Sequence, residues 1–341
     1  MINILGIETS CDDTAVSVVR DGTLILSNVI AAQTDMHEKY GGIIPEIASR
    51  EHLMAIMPTV DAALEGAEIS KEELDAVAVT HGPGLAGSLL VGLNSAKGLA
   101  LGWDKPLIGI NHLEGHIYSA WLEDADPECQ FGFPLICLIA SGGHTDLVVM
   151  FEHMSYKVVG RTRDDAAGEA FDKVARVLGL GFPGGPEIQA QAEGAKGLIP
   201  PFPRPKIGNS VDFSFSGLKT AVVRRAEEEG FYPRKTNQNP TRVQVEEFSG
   251  AFQSAVVDCL VRNVNRAVEE WGAKGIILGG GVAANSELRE RMQSEGKVGV
   301  IAPRPGLCTD NGAMIGAAAY RHFSESICTQ WELDVIPNLS L

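Results

Sequence analysis

Hydrophobic and polar positions alternate in two widely separated stretches of the chain with the same plan. Residues 4–19, ILGIETSCDDTAVSVV, read as an apolar strand, a small polar loop and a β-branched strand of period two. Residues 135–151, LICLIASGGHTDLVVMF, repeat that shape around a Ser-Gly-Gly-His-Thr loop. Both predict β-hairpins whose tips carry small and hydrogen-bonding side chains. A second element also recurs. Residues 76–100, AVAVTHGPGLAGSLLVGLNSAKGLA, predict a strand, a Gly-rich turn and a helix, and residues 275–292, GIILGGGVAANSELRERM, follow the same order.

The hairpin loops lie about 131 residues apart (Ser10 to Ser141) and the strand–Gly–helix turns about 198 (Gly82 to Gly280), so the second half carries roughly 67 extra residues between its two elements. The insertion falls near 155–245 and includes the run from Pro200 to Pro205, which fits neither a helix nor a central strand. A duplicated α/β chain of two lobes is expected, with four small-residue loops around one cleft.

Composition narrows the class. At 341 residues the chain is long enough for about two domains, each with its own core. Its apolar content of 45% and the lack of long charge blocks exclude intrinsic disorder. A net charge of -16 argues against a protein that grips nucleic acid over its whole surface. The N-terminus lacks the basic region of a secretory signal, and no uncharged apolar run reaches the ~18–20 residues of a membrane span. The six cysteines are scattered without a C-x-x-C pair, so a cytoplasmic protein with free thiols and no membrane association is expected.

Candidate chemistry lies in the loops. Gly279-Gly280-Gly281 follows an apolar strand and leads to Asn285 at a helix start, an arrangement that brings backbone N–H groups to an anion. Neither the dinucleotide fingerprint nor the P-loop pattern is present in the required context. In Asn111-His112-Leu113-Glu114-Gly115-His116, a helix beginning at His112 puts His112 and His116 on one face, close enough to share a metal. Asp310, just before a Gly/Ala-rich helix, is a plausible third ligand; two imidazoles and a carboxylate suit catalytic iron or zinc. The zinc-protease signature places its Glu one residue after the first His. Here Glu114 comes two residues on, about 200° around the helix and away from both imidazoles. His52 reads as packing locally beside an amphipathic helix. His81 and His144 sit in loops where a ligand contact is conceivable, and His37, His153 and His322 carry no signal.

Within the insertion, Asp164 reads as the cap of a helix running to Leu178, with Asp172 four residues past Gly168 and able to sit over a closely approached ligand. From 200 to 245, eight bases (Arg204, Lys206, Lys219, Arg224, Arg225, Arg234, Lys235, Arg242) face four acids. This stretch is therefore +4 and the remainder -20. Phe202, Phe213, Phe215, Phe231 and Tyr232 interleave with these bases, a composition compatible with RNA contact.

Ten motifs occur in order: GIETSCDDT (6–14), GGIIPEIASREH (41–52), THGPGLAGSLLVG (80–92), NHLEGH (111–116), SGGHT (141–145), DDAAGEAFDK (164–173), PGGP (183–186), FSFSGLKT (213–220), GGGVAANSELR (279–289) and TDNG (309–312). Together they resemble the universal tRNA threonylcarbamoyladenosine transferase family, TsaD, in its bacterial form, long called glycoproteases. The resemblance runs from about residue 3 to 320. It implies an α/β fold of the actin/Hsp70/acetate-kinase-like class: two ribonuclease-H-like lobes with a cleft between them and an insertion in the second. Residues 1–130 with 311–341 would form the first lobe, and 131–310 the second, with the insertion at about 155–245.

The implied reaction moves the threonylcarbamoyl group from threonylcarbamoyl-adenylate to N6 of adenosine 37 in tRNAs reading ANN codons, releasing AMP. By resemblance, His112, His116 and Asp310 would hold one divalent metal ion per subunit, iron in preference to zinc. Ile139, Ala140, Ser141, Gly142, Gly143, Asp172, Gly185 and Asn285 would line the adenylate site. Asp12 or Asp13, at the tip of the first hairpin, is the candidate for handling the amine's proton. The implied partners are tRNA, a degenerate paralogue that dimerises with the first lobe, and a small ATPase. Three positions depart from the family pattern. Asp13 stands where many bacterial relatives have Glu, Ile139 where archaeal and eukaryotic relatives have a metal-binding Tyr, and Gln189 where some members are acidic. A metallopeptidase and a small-molecule kinase of the same fold are the competing readings.

Overall fold

A computed structural model describes residues 1–123, 125–233, 239–328 and 331–341. The chain forms two compact units, Met1–Gln130 with Gly306–Leu341, and Phe131–Pro305.

The first unit opens with β1 (Asn3–Glu8), β2 (Thr14–Arg20) and β3 (Leu24–Ala31), followed by a short α1 (Thr34–Glu38), the long α2 (Pro45–Ala67), β4 (Ala76–Gly82), α3 (Ala86–Gly102), β5 (Leu107–Asn111) and α4 (His112–Tyr118). All six residues of β1 are buried, as expected of a strand covered on both faces. It pairs antiparallel with β2 and parallel with β4, giving the sheet order β3-β2-β1-β4-β5. Helix α2 begins with Pro45 in its first turn, where a missing N–H costs nothing. Its buried Ala48, His52, Ile56, Val60 and Ala63 recur at helical spacing and face the sheet. The core joins Leu5, Ile7, Val16, Val18, Ile56, Val60, Val77, Val79, Leu93 and Ala96.

The second unit repeats the plan. After α5 (Pro127–Phe131) come β6 (Leu135–Ala140), β7 (Thr145–Glu152) and β8 (Ser155–Arg161), then α6 (Ala167–Leu178), α7 (Gly184–Ala192), α8 (Ser216–Glu228) and the 30-residue α9 (Arg242–Trp271). The chain continues through β9 (Gly275–Gly279), α10 (Ser286–Glu295), β10 (Gly299–Ile301) and α11 (Pro305–Cys308). Its sheet order is β8-β7-β6-β9-β10, matching the first sheet strand for strand. Residues 155–161, placed in the insertion by sequence, form β8 and pair with β7 as β3 pairs with β2. The added material therefore lies after β8, in α6, α7, α8 and their connections ahead of α9. Helix α9 starts with a reciprocal cap between Thr241 and Gln244 and ends on Gly272 in the left-handed conformation.

The last helix, α12 (Gly312–Ser324), belongs to the first unit, which the chain re-enters at Gly306. It lies directly on β1: a Cβ added to Gly6 would sit 2.6 Å from the Gly316 nitrogen. Glycine at both positions permits this approach and brings the residues just before α12 to the end of the sheet. Among the described residues, no helix is long and apolar enough to cross a membrane.

Candidate functional site

Asn111 ends β5 and caps α4, its Oδ1 accepting the Leu113 N–H at 2.9 Å. The helix thus begins at His112, and four residues later His116 lies on the same face, the two rings 4.7 Å apart at 76°. From the other end of the chain, Asn311 caps α12 through the Met314 N–H at 3.0 Å. Its amide donates to the Thr309 carbonyl at 2.7 Å, which fixes the turn carrying Asp310. Asp310 Oδ1 lies 3.3 Å from His116 Nε2 and 3.6 Å from His112 Nε2.

His112, His116 and Asp310 each offer one donor atom, and these atoms lie within 4.8 Å of one another. Four ligands at ~2.0–2.1 Å around a tetrahedral ion stand about 3.3 Å apart, so the spacing fits a metal. Both ring nitrogens of His116 are buried without a hydrogen-bond partner among the described residues, a costly state unless an electrophile is supplied. His112 Nδ1 lies 3.0 Å from Glu8 Oε2. Burial works against a charged His112, yet the Glu8 and Asp310 carboxylates outweigh it and hold the imidazole up at about 9. The pocket therefore favours positive charge.

Around these three residues the first unit gathers more acid. The β1–β2 loop carries Cys11, Asp12 and Asp13. Burial, then the neighbouring Asp12 and Asp310 charges, push Asp13 up to about 7, and its Oδ1 has no hydrogen-bond partner among the described residues. Burial also raises Asp12. His52 bonds to Thr14 Oγ1 at 2.7 Å and to the Cys11 carbonyl at 3.0 Å, so it braces this loop as its local-packing reading expects. Glu114 turns away from the two imidazoles, as the helical spacing requires, and meets His322 on α12 at 3.1 Å. It is not placed as a peptidase base.

In the second unit the expected adenylate residues form a ring of contacts at the end of β6. Ser141 accepts the Gly168 N–H at 3.0 Å, and a Cβ on Gly168 would stand 2.6 Å from that carbonyl. Along α6, Asp172 Oδ1 accepts the Gly184 N–H at the start of α7, at 2.7 Å. Gln189 on α7 accepts the Ser286 N–H at 2.9 Å, beside Asn285. Asn285 caps α10 through Leu288 N–H at 3.0 Å and donates to Gln253 at 2.8 Å. Gly280, at φ 84°, closes the ring against the Ala140 backbone. Gly142 and Gly143 are exposed and Gly185 is half-buried, with open space where a side chain would stand. Ile139 and Ala140 are buried, so only their backbone faces the loop.

Several sequence expectations are corrected. Asp164 does not cap α6, whose N-cap is Ala166. It reaches 51 residues ahead and accepts the Phe215 N–H at 2.8 Å and the Ser216 N–H at 3.2 Å, capping α8 instead. The aromatics among the bases are core: Phe202, Phe213, Phe215 and Phe231 are all buried, with Phe202 and Phe231 packed on Phe248. Arg204 pairs with Asp258, Lys219 with Asp165 and Arg242 with Glu246. Arg224 and Lys206 remain exposed, and Arg234 and Lys235 lie outside the described residues. Tyr232 is half-buried, so among the described residues four of the five aromatics named there are turned inward. His81 lies half-buried at the end of β4, where its carbonyl accepts the Ile336 N–H. Glu8 was not singled out from sequence, although a charged residue closing an apolar strand was a visible signal.

Two sheets of identical order, each with the ribonuclease-H-like plan, define the actin/Hsp70/acetate-kinase-like class. HypF from T. kodakarensis shares the fold at a TM-score of 0.63 and 13% identity, over 96% of this chain and 48% of that one. Component A of (R)-2-hydroxyglutaryl-CoA dehydratase from Acidaminococcus fermentans does so at 0.55 and 15%, over 95% and 100%. Closer relatives carry the name tRNA N6-adenosine threonylcarbamoyltransferase. The protein of Thermomicrobium roseum is 51% identical and that of Symbiobacterium thermophilum 50%, each over 99% of this chain and 96% of the relative. The TsaD family, described as tRNA N6-adenosine threonylcarbamoyltransferase, matches residues 24–317. The chain belongs to the TsaD family.

Proposed function

We propose that this protein transfers the threonylcarbamoyl group from threonylcarbamoyl-adenylate to N6 of adenosine 37 in tRNAs that read ANN codons, releasing AMP. The observation that carries the reading is the convergence of His112, His116 and Asp310 in a chain of this family. These three residues would hold one divalent ion, iron in preference to zinc, which would supply Lewis-acid polarisation and orient the threonyl group.

The reacting bond is the mixed anhydride between the carbamoyl carbon and the AMP phosphate oxygen. The N6 amine attacks that carbon, the carbon–oxygen bond breaks, and AMP leaves with the electron pair. Gly142 and Gly143, in the loop that Ser141 opens, with Gly185 in the first turn of α7, would receive the phosphate through backbone N–H groups. Asp172 holds the first turn of α7 in place, and Asn285 would meet the adenine. Asp13, held near neutrality by burial and neighbouring acids, would accept the proton that N6 loses, with Asp12 beside it. Partners on this reading are tRNA, a paralogous dimerisation subunit and a small ATPase, in the cytoplasm.

The test supplies the protein and its partner subunits with tRNA, labelled threonine, ATP, bicarbonate and the adenylate-forming enzyme. Label should appear on adenosine 37. Its absence, under conditions where a relative labels the same tRNA, overturns the transferase reading.

A further inference from the structure

Glu8 is fully buried at the end of β1. An ionised carboxylate is costly to bury unless donors surround it, and this one has three. Ser10 donates its backbone N–H to Oε1 at 2.5 Å, Thr80 its hydroxyl to Oε2 at 2.6 Å, and His112 Nδ1 stands 3.0 Å from Oε2.

The geometry points to Glu8 as a positioning residue that prepares His112 as a metal ligand and simultaneously anchors the loop bearing Asp12 and Asp13. This rests on the metal reading above. A carboxylate that only accepts requires hydrogen on His112 Nδ1. The neutral ring is then the Nδ1–H tautomer, and its lone pair sits on Nε2, the atom facing Asp310. The ring cannot turn over without presenting a lone pair to the carboxylate. His116 has no such brace, since neither of its ring nitrogens has a hydrogen-bond partner among the described residues. The order of the donor set therefore depends on the contacts of His112 Nδ1 with Glu8 and with Ser10 Oγ, which stands 3.1 Å from the same nitrogen. Because Oε1 also holds the Ser10 N–H two residues further on, the same carboxylate sets where the acidic loop departs from the sheet.

Glu8→Gln keeps the volume but not the chemistry. Its amide has a single oxygen, so the NH2 group must face the Ser10 N–H, donor against donor, or the His112–Thr80 pair, where His112 Nδ1 can accept only by giving up its hydrogen. The experiment titrates purified protein with Co²⁺, following visible absorption bands and competition with a chromophoric chelator, well below the melting temperature. A Glu8→Gln variant should bind Co²⁺ 10- to 100-fold more weakly, the range for losing a carboxylate behind a ligating histidine. In the Zn²⁺-loaded protein, ¹⁵N spectra of the His112 ring should show the Nδ1–H tautomer in wild type and a mixture in the variant. Thr80→Val removes one donor but keeps the carboxylate, and should lower the melting temperature while holding Co²⁺ affinity within about threefold. If Glu8→Gln does not fold, Glu8→Asp, one methylene short of its partners, is read by the same measure. Wild-type affinity in the folded Glu8 variant, or an equal loss in Thr80→Val, overturns the assignment. A His112→Ala, His116→Ala protein that binds Co²⁺ as wild type does would instead show the metal reading itself to be mistaken, and this assignment with it.

Discussion

His322 meets Glu114 across 208 positions of sequence, its Nε2 3.2 Å from Oε1 and 3.1 Å from Oε2. The contact joins α12, which follows Asp310, to α4, which carries both histidines. Glu114→Gln or His322→Ala should cost about 0.5–1.5 kcal/mol, as expected when a buried hydrogen bond is weakened or lost. A double-mutant cycle by chemical denaturation reads the coupling. Labelling of tRNA by folded Glu114→Gln should persist; its abolition, with metal bound, would restore Glu114 as a base.

Metal content should follow the three converging residues. Wild type should carry close to one ion per chain, and His112→Ala, His116→Ala and Asp310→Asn should lose it, as read by elemental analysis. A ligand that binds only the folded form at 100 times its Kd adds about 2.7 kcal/mol. Chelation should therefore lower the melting temperature of wild type and leave that of the triple variant unchanged.

Asp13 gives a pH dependence of defined sign. Its value rises from 3.8 to about 7 in the folded metal-free protein, through burial and the Asp12 and Asp310 charges. Between these values the folded state holds a proton that the unfolded state has released. Stability contributed by this group is therefore complete below pH ~4 and lost as pH rises through about 7. Asp13→Asn should flatten that slope in denaturation curves taken across the range. If Asp13 takes the N6 proton, transfer by wild type should rise through pH 7, and the Asn variant should lose that limb.

Gly168→Ala distinguishes the loop at 141–143 from the His112–His116–Asp310 set. The new methyl would press on the Ser141 carbonyl and displace the 141–143 loop. Adenylate binding should fall at least tenfold, a loss of roughly 1.4 kcal/mol or more, while Co²⁺ affinity stays at the wild-type value. Calorimetric titration with a non-hydrolysable adenylate analogue measures the first, and a weakened metal site would contradict the separation.

Asp164→Ala removes the cap that α8 receives from 51 residues upstream. A loss of about 0.5–2 kcal/mol is expected, with Asp165, Lys173 and Lys219 left to hold that corner. Unchanged denaturation curves would show that the cap carries no stability.

What could be read from sequence was local. The two hairpins, the strand–Gly–helix pairs and the shared face of His112 and His116 follow from neighbours in the chain, and periodicity reports neighbours. Asp310 was reachable because its chemistry completed a set. Glu8, Asp164 and His322 were missed or misassigned because their partners stand 104, 51 and 208 residues away. The phenylalanines misled for a related reason: composition places them among arginines, while packing turns them inward onto Phe248 and its neighbours.

The return of the chain at Gly306 sets an order of manufacture. A ribosome that has reached residue 305 has already produced both imidazoles, the carboxylate behind one of them and the whole second unit. It has not produced Asp310 or the helix that lies on Gly6. A chain cut just before that point keeps both imidazoles but lacks the carboxylate that converges on them. His112, His116 and Asp310 thus come together only after the whole of the second unit, residues 131–305, has been made.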